Sequence, residues 1–379
     1  MKRILFITPT FARTGSEMVL WYLITNLDPQ KYHIHLFSIK NGELLECLPS
    51  HINKTVAYKH SGKWHEKLFR GILKLCGVKN LIGYQLKQIQ KRFEADLWFI
   101  NTIVVPEAHQ AAQEMDVTIA TYFHEIDNAF GFINSDSFKK IMDCSHFCIA
   151  CSEIVGRKIS EFRPHNIRIQ NSFINEEIIR TDRSRIELIK QKLGISSQDF
   201  VWVISGTATY MKGFDLLLPL MDYFKEKPVK IIWIGKYLEN GLDFYVRSVA
   251  EKKYPGKLIF TGALAEDYYN YFAIANASLI LSREECFPLV MLEAAYLKLP
   301  IVAFNSGTID MFIEEGMGKV VDGLNLEALC KEMDWVHANQ NSIDKNKLRQ
   351  RALQFTVKNQ IPLFNNLLLE ILDHPSETV

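Results

Sequence analysis

In Ser282-Arg283-Glu284-Glu285-Cys286-Phe287-Pro288-Leu289-Val290-Met291-Leu292-Glu293-Ala294, two carboxylates bracket a proline suited to open a helix. At the first helical position proline loses no hydrogen bond, so Leu289 and Val290 would offer unpaired N–H groups at the carboxyl end of a strand. That is a seat for a phosphate. Phe287, Pro288, Leu289 and Val290 are candidate binding residues on this ground. Glu285 and Glu293 would accept hydrogen bonds from sugar hydroxyls, and because carboxylates repel phosphates they should face the neutral parts of a ligand. Arg283 and Glu284 read as solvated neighbours. A second loop, Gly206-Thr207-Ala208-Thr209-Tyr210-Met211-Lys212-Gly213-Phe214-Asp215, carries a lysine that could neutralise a leaving diphosphate as a point charge.

Three other groups need weighing. The first loop, Thr8 to Glu17, holds only Gly15, so the G-x-G-x-x-G dinucleotide fingerprint is absent and a nicotinamide or flavin enzyme loses its main support. A loop ending at a helix start can still meet an anion through backbone N–H groups. His124 follows the apolar run 117–122, either as a site residue or as a core-edge histidine bonded to backbone. Cys144, Cys148 and Cys151 have a spacing known from iron–sulfur ligation, but Phe147-Cys148-Ile149-Ala150-Cys151 reads better as a buried strand, and no metal is expected.

Apolar runs at 3–8, 32–38, 97–101, 117–122 and 147–150 alternate with helical patterns such as 16–27 and 152–163. A second series has strands at 200–205, 230–234, 258–261, 277–281 and 301–303, with helices at 213–224, 267–275 and 288–297. Such alternation makes right-handed parallel βαβ units and predicts an α/β fold of two doubly wound, Rossmann-like domains. The expected boundaries are 1–174, a polar linker at 175–185, 186–355, and a last helix at 356–379 crossing back to the first domain. Ligands in such sheets bind at the carboxyl ends of the strands, with a cleft between the domains as the default site.

At these residues the sequence resembles the family-4 retaining glycosyltransferases of the two-Rossmann-domain (GT-B) class. Lys212-Gly213-Phe214-Asp215 is similar to that family's K-G-x-D, and Glu285 to Glu293 to its E-x7-E. The resemblance implies that Glu293 binds the nucleotide ribose, that Glu285 lies beside the donor sugar and that Lys212 holds the diphosphate. It further implies that Gly15 lies over the donor and His124 near its sugar. Gly206 and Thr207 belong to the same nucleotide-binding set. The family's arginine five residues before the lysine is replaced by Thr207, a place Arg13, a magnesium ion or another donor geometry would have to fill. Thr14-Gly15-Ser16-Glu17 and Gly307-Thr308-Ile309-Asp310 replace its usual G-G-x-E and G-x-x-E.

The chain has 379 residues, 48% hydrophobic and 23% charged, with a net charge of +1, which excludes disorder and a wholly nucleic-acid-binding surface. No apolar run is long enough for a transmembrane helix, Pro9 and Arg13 interrupt the start too early for a signal peptide, and seven scattered cysteines fit a reducing cytoplasm. The near-neutral total hides an asymmetry. From Lys59 to Arg92 there are nine Lys/Arg against the single acid Glu66, a net +8 that leaves the remainder at −7. Apolar residues interleave near helical spacing, as suits an interfacial helix on anionic lipid or an ordinary helix packing on the first domain.

Together these features predict a cytoplasmic glycosyltransferase, peripheral on the inner face of the membrane. It would move a sugar, with retention of configuration, from a UDP- or GDP-linked donor to a glycan or lipid-linked acceptor in cell-surface polysaccharide synthesis. No tightly bound cofactor, required metal or nucleic-acid partner is expected. An epimerase or hydrolase of the same fold, or an inactive nucleotide-sugar-binding subunit, are the other readings.

Overall fold

Ile4-Leu5-Phe6-Ile7 and Leu97-Trp98-Phe99-Ile100 are wholly buried, as expected of parallel strands covered on both faces. The computed structural model describes residues 1–58, 60 and 64–373. The chain divides into two units, Met1–Phe173 together with Val357 onward, and Ile174–Thr356.

The first unit holds β1 (Lys2–Thr8), β2 (Tyr32–Ser38), β3 (Asn53–Val56), β4 (Leu97–Asn101), β5 (Ile119–Phe123), β6 (Phe147–Ala150) and β7 (Ile167–Ile169). They form one parallel sheet in the order β3-β2-β1-β4-β5-β6-β7. The second unit holds β8 (Phe200–Ser205), β9 (Val229–Ile234), β10 (Leu258–Gly262), β11 (Ala277–Ile280), β12 (Ile301–Phe304) and β13 (Gly318–Val321). Their order is β10-β9-β8-β11-β12-β13, again parallel. Along β8 the side chains alternate between two cores, Val201 and Val203 on one face and Phe200, Trp202 and Ile204 on the other. Both units are doubly wound α/β domains.

In each sheet the strand order reverses at one place, between β1 and β4 and between β8 and β11. Loops leaving two such strands diverge to opposite faces, opening a crevice at their carboxyl ends. The loops after β8 and β11 are those that carry Lys212 and Glu285.

The polar stretch 175–185, expected from composition to be a linker, is counted with the second unit. Its end starts the helix Arg183–Lys192, where the Asp182 carboxylate accepts the N–H groups of Ser184 and Arg185. The final helix, Val357–Asp373, belongs to the first unit. There Phe364 meets the Phe99 ring edge-on at 5.6 Å, Gln360 accepts from Gln170 at 3.1 Å, and Glu370 pairs with Arg168.

Candidate functional site

The second unit builds its site by joining two loops. The Arg283 N–H donates to the Met211 carbonyl at 2.8 Å, tying the loop after β11 to the loop after β8. Gly213 lets them approach: its φ is +75°, and a Cβ there would lie 2.4 Å from the Leu281 carbonyl oxygen. Across the join, Lys212 Nζ donates to Glu285 Oε1. Glu285 is buried, while the lysine side chain stays about one-third exposed. The ammonium lies at the ligand end of the sheet, already desolvated in part and held by a carboxylate that an anionic ligand could displace.

Gly206 lies beneath the lysine stem, its carbonyl accepting from Trp233 Nε1 at 3.0 Å. The Thr207 carbonyl accepts from the Thr209 N–H at 2.7 Å, which tightens the turn leading to Lys212. The Glu285 backbone is fixed from the other side. Gly307, at φ +63°, packs so closely that a Cβ would fall 1.4 Å from the Glu285 carbonyl oxygen, and Thr308 Oγ1 donates to the Cys286 carbonyl at 3.0 Å. The Gly307-Thr308-Ile309-Asp310 segment therefore buttresses the Glu285 loop, with Asp310 exposed.

Pro288 is not the first helical residue as expected. It is the N-cap of the helix Leu289–Tyr296, with extended backbone at φ −71° and ψ 124°. The reason is visible in the next bond, Met291 N–H to the Pro288 carbonyl at 3.2 Å, which puts the proline just outside the helix. Leu289 and Val290 still occupy the first turn, where N–H groups lack intrahelical acceptors. The Phe287 ring packs on Phe355 at 5.0 Å, within the same unit.

Glu293 is buried on that helix, with both carboxylate oxygens occupied: Tyr268 donates to Oε2 at 2.8 Å and Tyr269 to Oε1 at 3.0 Å. Burial pushes its pKa up to about 7, and the two phenols pull against that rise. The sequence reading missed both tyrosines, since nothing in the pattern Asp267-Tyr268-Tyr269-Asn270 links them to a residue on another helix. It also misread Arg283 as solvated. The Arg283 side chain is 13% exposed, paired at 2.7 and 2.8 Å with both oxygens of Asp215, and stacked 3.7 Å over the Tyr210 ring. Arg283 thus braces the lysine loop and is already committed to its own partner.

The first unit gathers a second cluster at the carboxyl ends of β1, β4, β5 and β6. Gly15 opens the helix Gly15–Thr25, and a Cβ added there would meet nothing within 4 Å, so the packing around it does not require glycine. Glu17, buried in the first turn, accepts from the hydroxyls of Thr14 and Ser16. His124 Nε2 lies 3.0 Å from Asn101 Oδ1, with its ring 4.0 Å from that of Tyr122. Burial opposes its charge, but hydrogen bonding to Cys151 and the nearby Cys151, Glu125 and Glu17 outweigh it and raise the pKa. Glu125 is buried against the Thr102 hydroxyl and the His124 N–H, and desolvation lifts its pKa to about 7. His124 bonds to a side chain rather than to backbone, within a ring of titratable groups.

Cys148 and Cys151 are buried in and just after β6, and Cys144 is half-buried. Burial pushes the Cys148 thiol up to about 12. Among the described residues no three His, Cys, Asp or Glu side chains stand close enough to hold a metal.

The curated relatives include Escherichia coli O-antigen chain mannosyltransferase C, 26% identical over 211 residues and covering 54% of each chain. Another is the Streptococcus pneumoniae alpha-galactosylglucosyldiacylglycerol synthase, 29% identical over 132 residues, 34% of this chain and 32% of that protein. The chain therefore spans about half the length of the first and a third of the second. Among solved structures, Anabaena Alr3699/HepE in complex with UDP and glucose superposes with a TM-score of 0.81 at 17% identity, covering 98% of this chain and all of that one. WaaG, a glycosyltransferase involved in lipopolysaccharide biosynthesis, superposes with a TM-score of 0.73 at 12% identity over 99% of this chain and all of that one. At such identities these structures establish the fold, which is that of the GT-B glycosyltransferases. Residues 185–355 match the family model described as "Glycosyl transferases group 1". Through that segment, nearly the whole of its second unit, the chain is similar to the group 1 glycosyl transferases.

Proposed function

We propose that this chain is a retaining, family-4 type glycosyltransferase that takes a sugar from a UDP- or GDP-linked donor and gives it to a glycan or lipid-linked acceptor. The observation that carries the reading is the Lys212–Glu285 pair, held at the sheet's reversal point by two loops bonded to each other. In this reading the diphosphate takes the ammonium from Glu285, and the freed carboxylate turns to the donor sugar. Charge then builds on the leaving diphosphate, where Lys212 and the start of the helix Leu289–Tyr296 absorb it. Glu293 binds the ribose, and the diphosphate itself serves as the base for the incoming hydroxyl. His124 and Gly15 are the candidate site residues of the first unit. The HepE structure with UDP and glucose supports a nucleotide-sugar donor, and the mannosyltransferase and glycolipid synthase relatives support a surface-glycan or lipid-linked acceptor.

The test is thermal unfolding with UDP, GDP and ADP at millimolar concentration. A ligand bound only by the native state, present at about a hundred times its Kd, adds about 2.7 kcal/mol, so one of them should raise the melting temperature by a few degrees. No shift with any of the three would remove the donor site. Product analysis with and without acceptor separates transfer from epimerisation or hydrolysis.

Peripheral membrane attachment on the cytoplasmic side is part of this proposal. In the helix Trp64–Leu75, Leu73 is buried and Phe69 meets the Tyr58 ring edge-on at 5.6 Å. Trp64, Leu68, Ile72 and Leu75, one helical face, are 76%, 63%, 48% and 89% exposed, so that apolar stripe is not spent on the core. Arg70 and Lys74 share the helix; Lys59 and Lys63 lie outside the described residues. Among the described residues no helix is long and apolar enough to cross a membrane. Each basic residue near an anionic surface contributes about 1 kcal/mol and is screened by salt, so attachment should be reversible. The protein should sediment with anionic vesicles at low salt, come off at high salt, and largely lose binding when Lys63, Lys67, Arg70 and Lys74 are all replaced by Ser. Equal binding to neutral vesicles would contradict it.

A further inference from the structure

We infer that Tyr268 and Tyr269 are positioning residues that aim the Glu293 carboxylate at a pair of adjacent ligand hydroxyls. A carboxylate offers about four acceptor positions on two oxygens. Here one position on each oxygen is taken by a phenol, at 2.8 and 3.0 Å, so the plane of the group is fixed and one further position per oxygen is left for a diol. The tyrosines are themselves held: Tyr268 Oη lies 2.9 Å from Ser205 Oγ at the end of β8, and the two rings meet edge-on at 5.0 Å. The network therefore runs from the strand that feeds the Lys212 loop to the helix that follows the Glu285 loop. This rests on the reading of Glu293 as the ribose-binding group.

The phenols also hold the charge. Tyr268 and Tyr269 face Glu293 from the helix Tyr268–Ile274; Lys212 and Glu285 pair with each other, and Arg349, from the helix packed alongside, donates to the Tyr296 hydroxyl at 3.0 Å. Burial raises the Glu293 pKa to about 7 and the phenol bonds oppose that rise, so removing either bond raises it further. A protonated carboxyl loses an acceptor position, so diol binding weakens as pH falls through the pKa, and the midpoint of that loss should move to higher pH without a phenol.

The experiment titrates UDP and 2′,3′-dideoxy-UDP onto the full chain between about pH 6 and 9, spanning the raised carboxyl pKa. The ratio of the two affinities cancels ionisation of the phosphate. Tyr268→Phe and Tyr269→Phe should each cut UDP affinity by about three- to tenfold, leave dideoxy-UDP unchanged and raise the pH midpoint of the ratio. Ser205→Ala should give a smaller effect of the same kind, and melting curves of the free proteins report folding. Equal losses for both nucleotides, or an unmoved midpoint, would overturn the inference. If Glu293→Gln abolishes the ratio while both Phe variants keep it, the positioning role fails and the ribose reading stands; if Glu293→Gln keeps the ratio, both fail.

Discussion

Lys212→Ala is expected to lower turnover by about 10²–10³-fold with a smaller change in donor affinity, because its charge matters most when the diphosphate carries the bonding electrons away. Glu293→Ala should do the reverse, raising the donor KM more than it lowers kcat, since ribose hydroxyls are bound alike in ground and transition states. The contrast has a structural basis. Lys212 already has a carboxylate partner, which the proposed mechanism has it exchange for the diphosphate, whereas Glu293 is fixed by two phenols. Steady-state release of nucleoside diphosphate by the folded variants decides it. Wild-type parameters in both would end the assignment of this site.

Gly307→Ala is expected to cost about 3 kcal/mol or more and to abolish activity. Two penalties combine: a left-handed backbone at φ +63°, worth about 1 kcal/mol for alanine, and a Cβ placed 1.4 Å from the Glu285 carbonyl oxygen, which forces backbone to move. Gly256→Ala supplies the control, because Gly256 has φ +72° with nothing within 4 Å of the added carbon. It should pay the first penalty alone. Denaturant unfolding of the two variants measures the difference; similar midpoints would mean that the Glu285 loop gives way easily.

Strands that cross the middle of a sheet are legible because both faces are buried and their sequences are unbroken apolar runs, as in Phe200-Val201-Trp202-Val203-Ile204. The strands missed are β3, β7 and β13, all short and at or near sheet edges, with Lys54, Arg168 and Lys319 interrupting the apolar signal. The candidates Lys212, Glu285 and Glu293 can be named because each sits in a local pattern with its own strand and helix. Their partners cannot. Tyr268 and Tyr269 reach Glu293 across 25 and 24 residues of sequence, and Arg283 reaches Asp215 across 68, distances over which spacing carries no information. Proline's preference for the first helical position places Pro288 one residue too far into its helix, a shift that only the Met291 N–H bond reveals.

The last helix, Val357–Asp373, completes the unit that begins the chain. On the ribosome, therefore, the amino-terminal unit cannot close its core when it emerges: Phe99 must wait for Phe364, and Arg168 for Glu370, until the whole intervening unit has been made. The contiguous second unit needs no later segment and is able to finish first, the opposite of the usual order of domain maturation during synthesis. A stalled or truncated chain ending near residue 356 would then hold one finished unit and one with its buried aromatic surface still open, a natural target for chaperones and proteases.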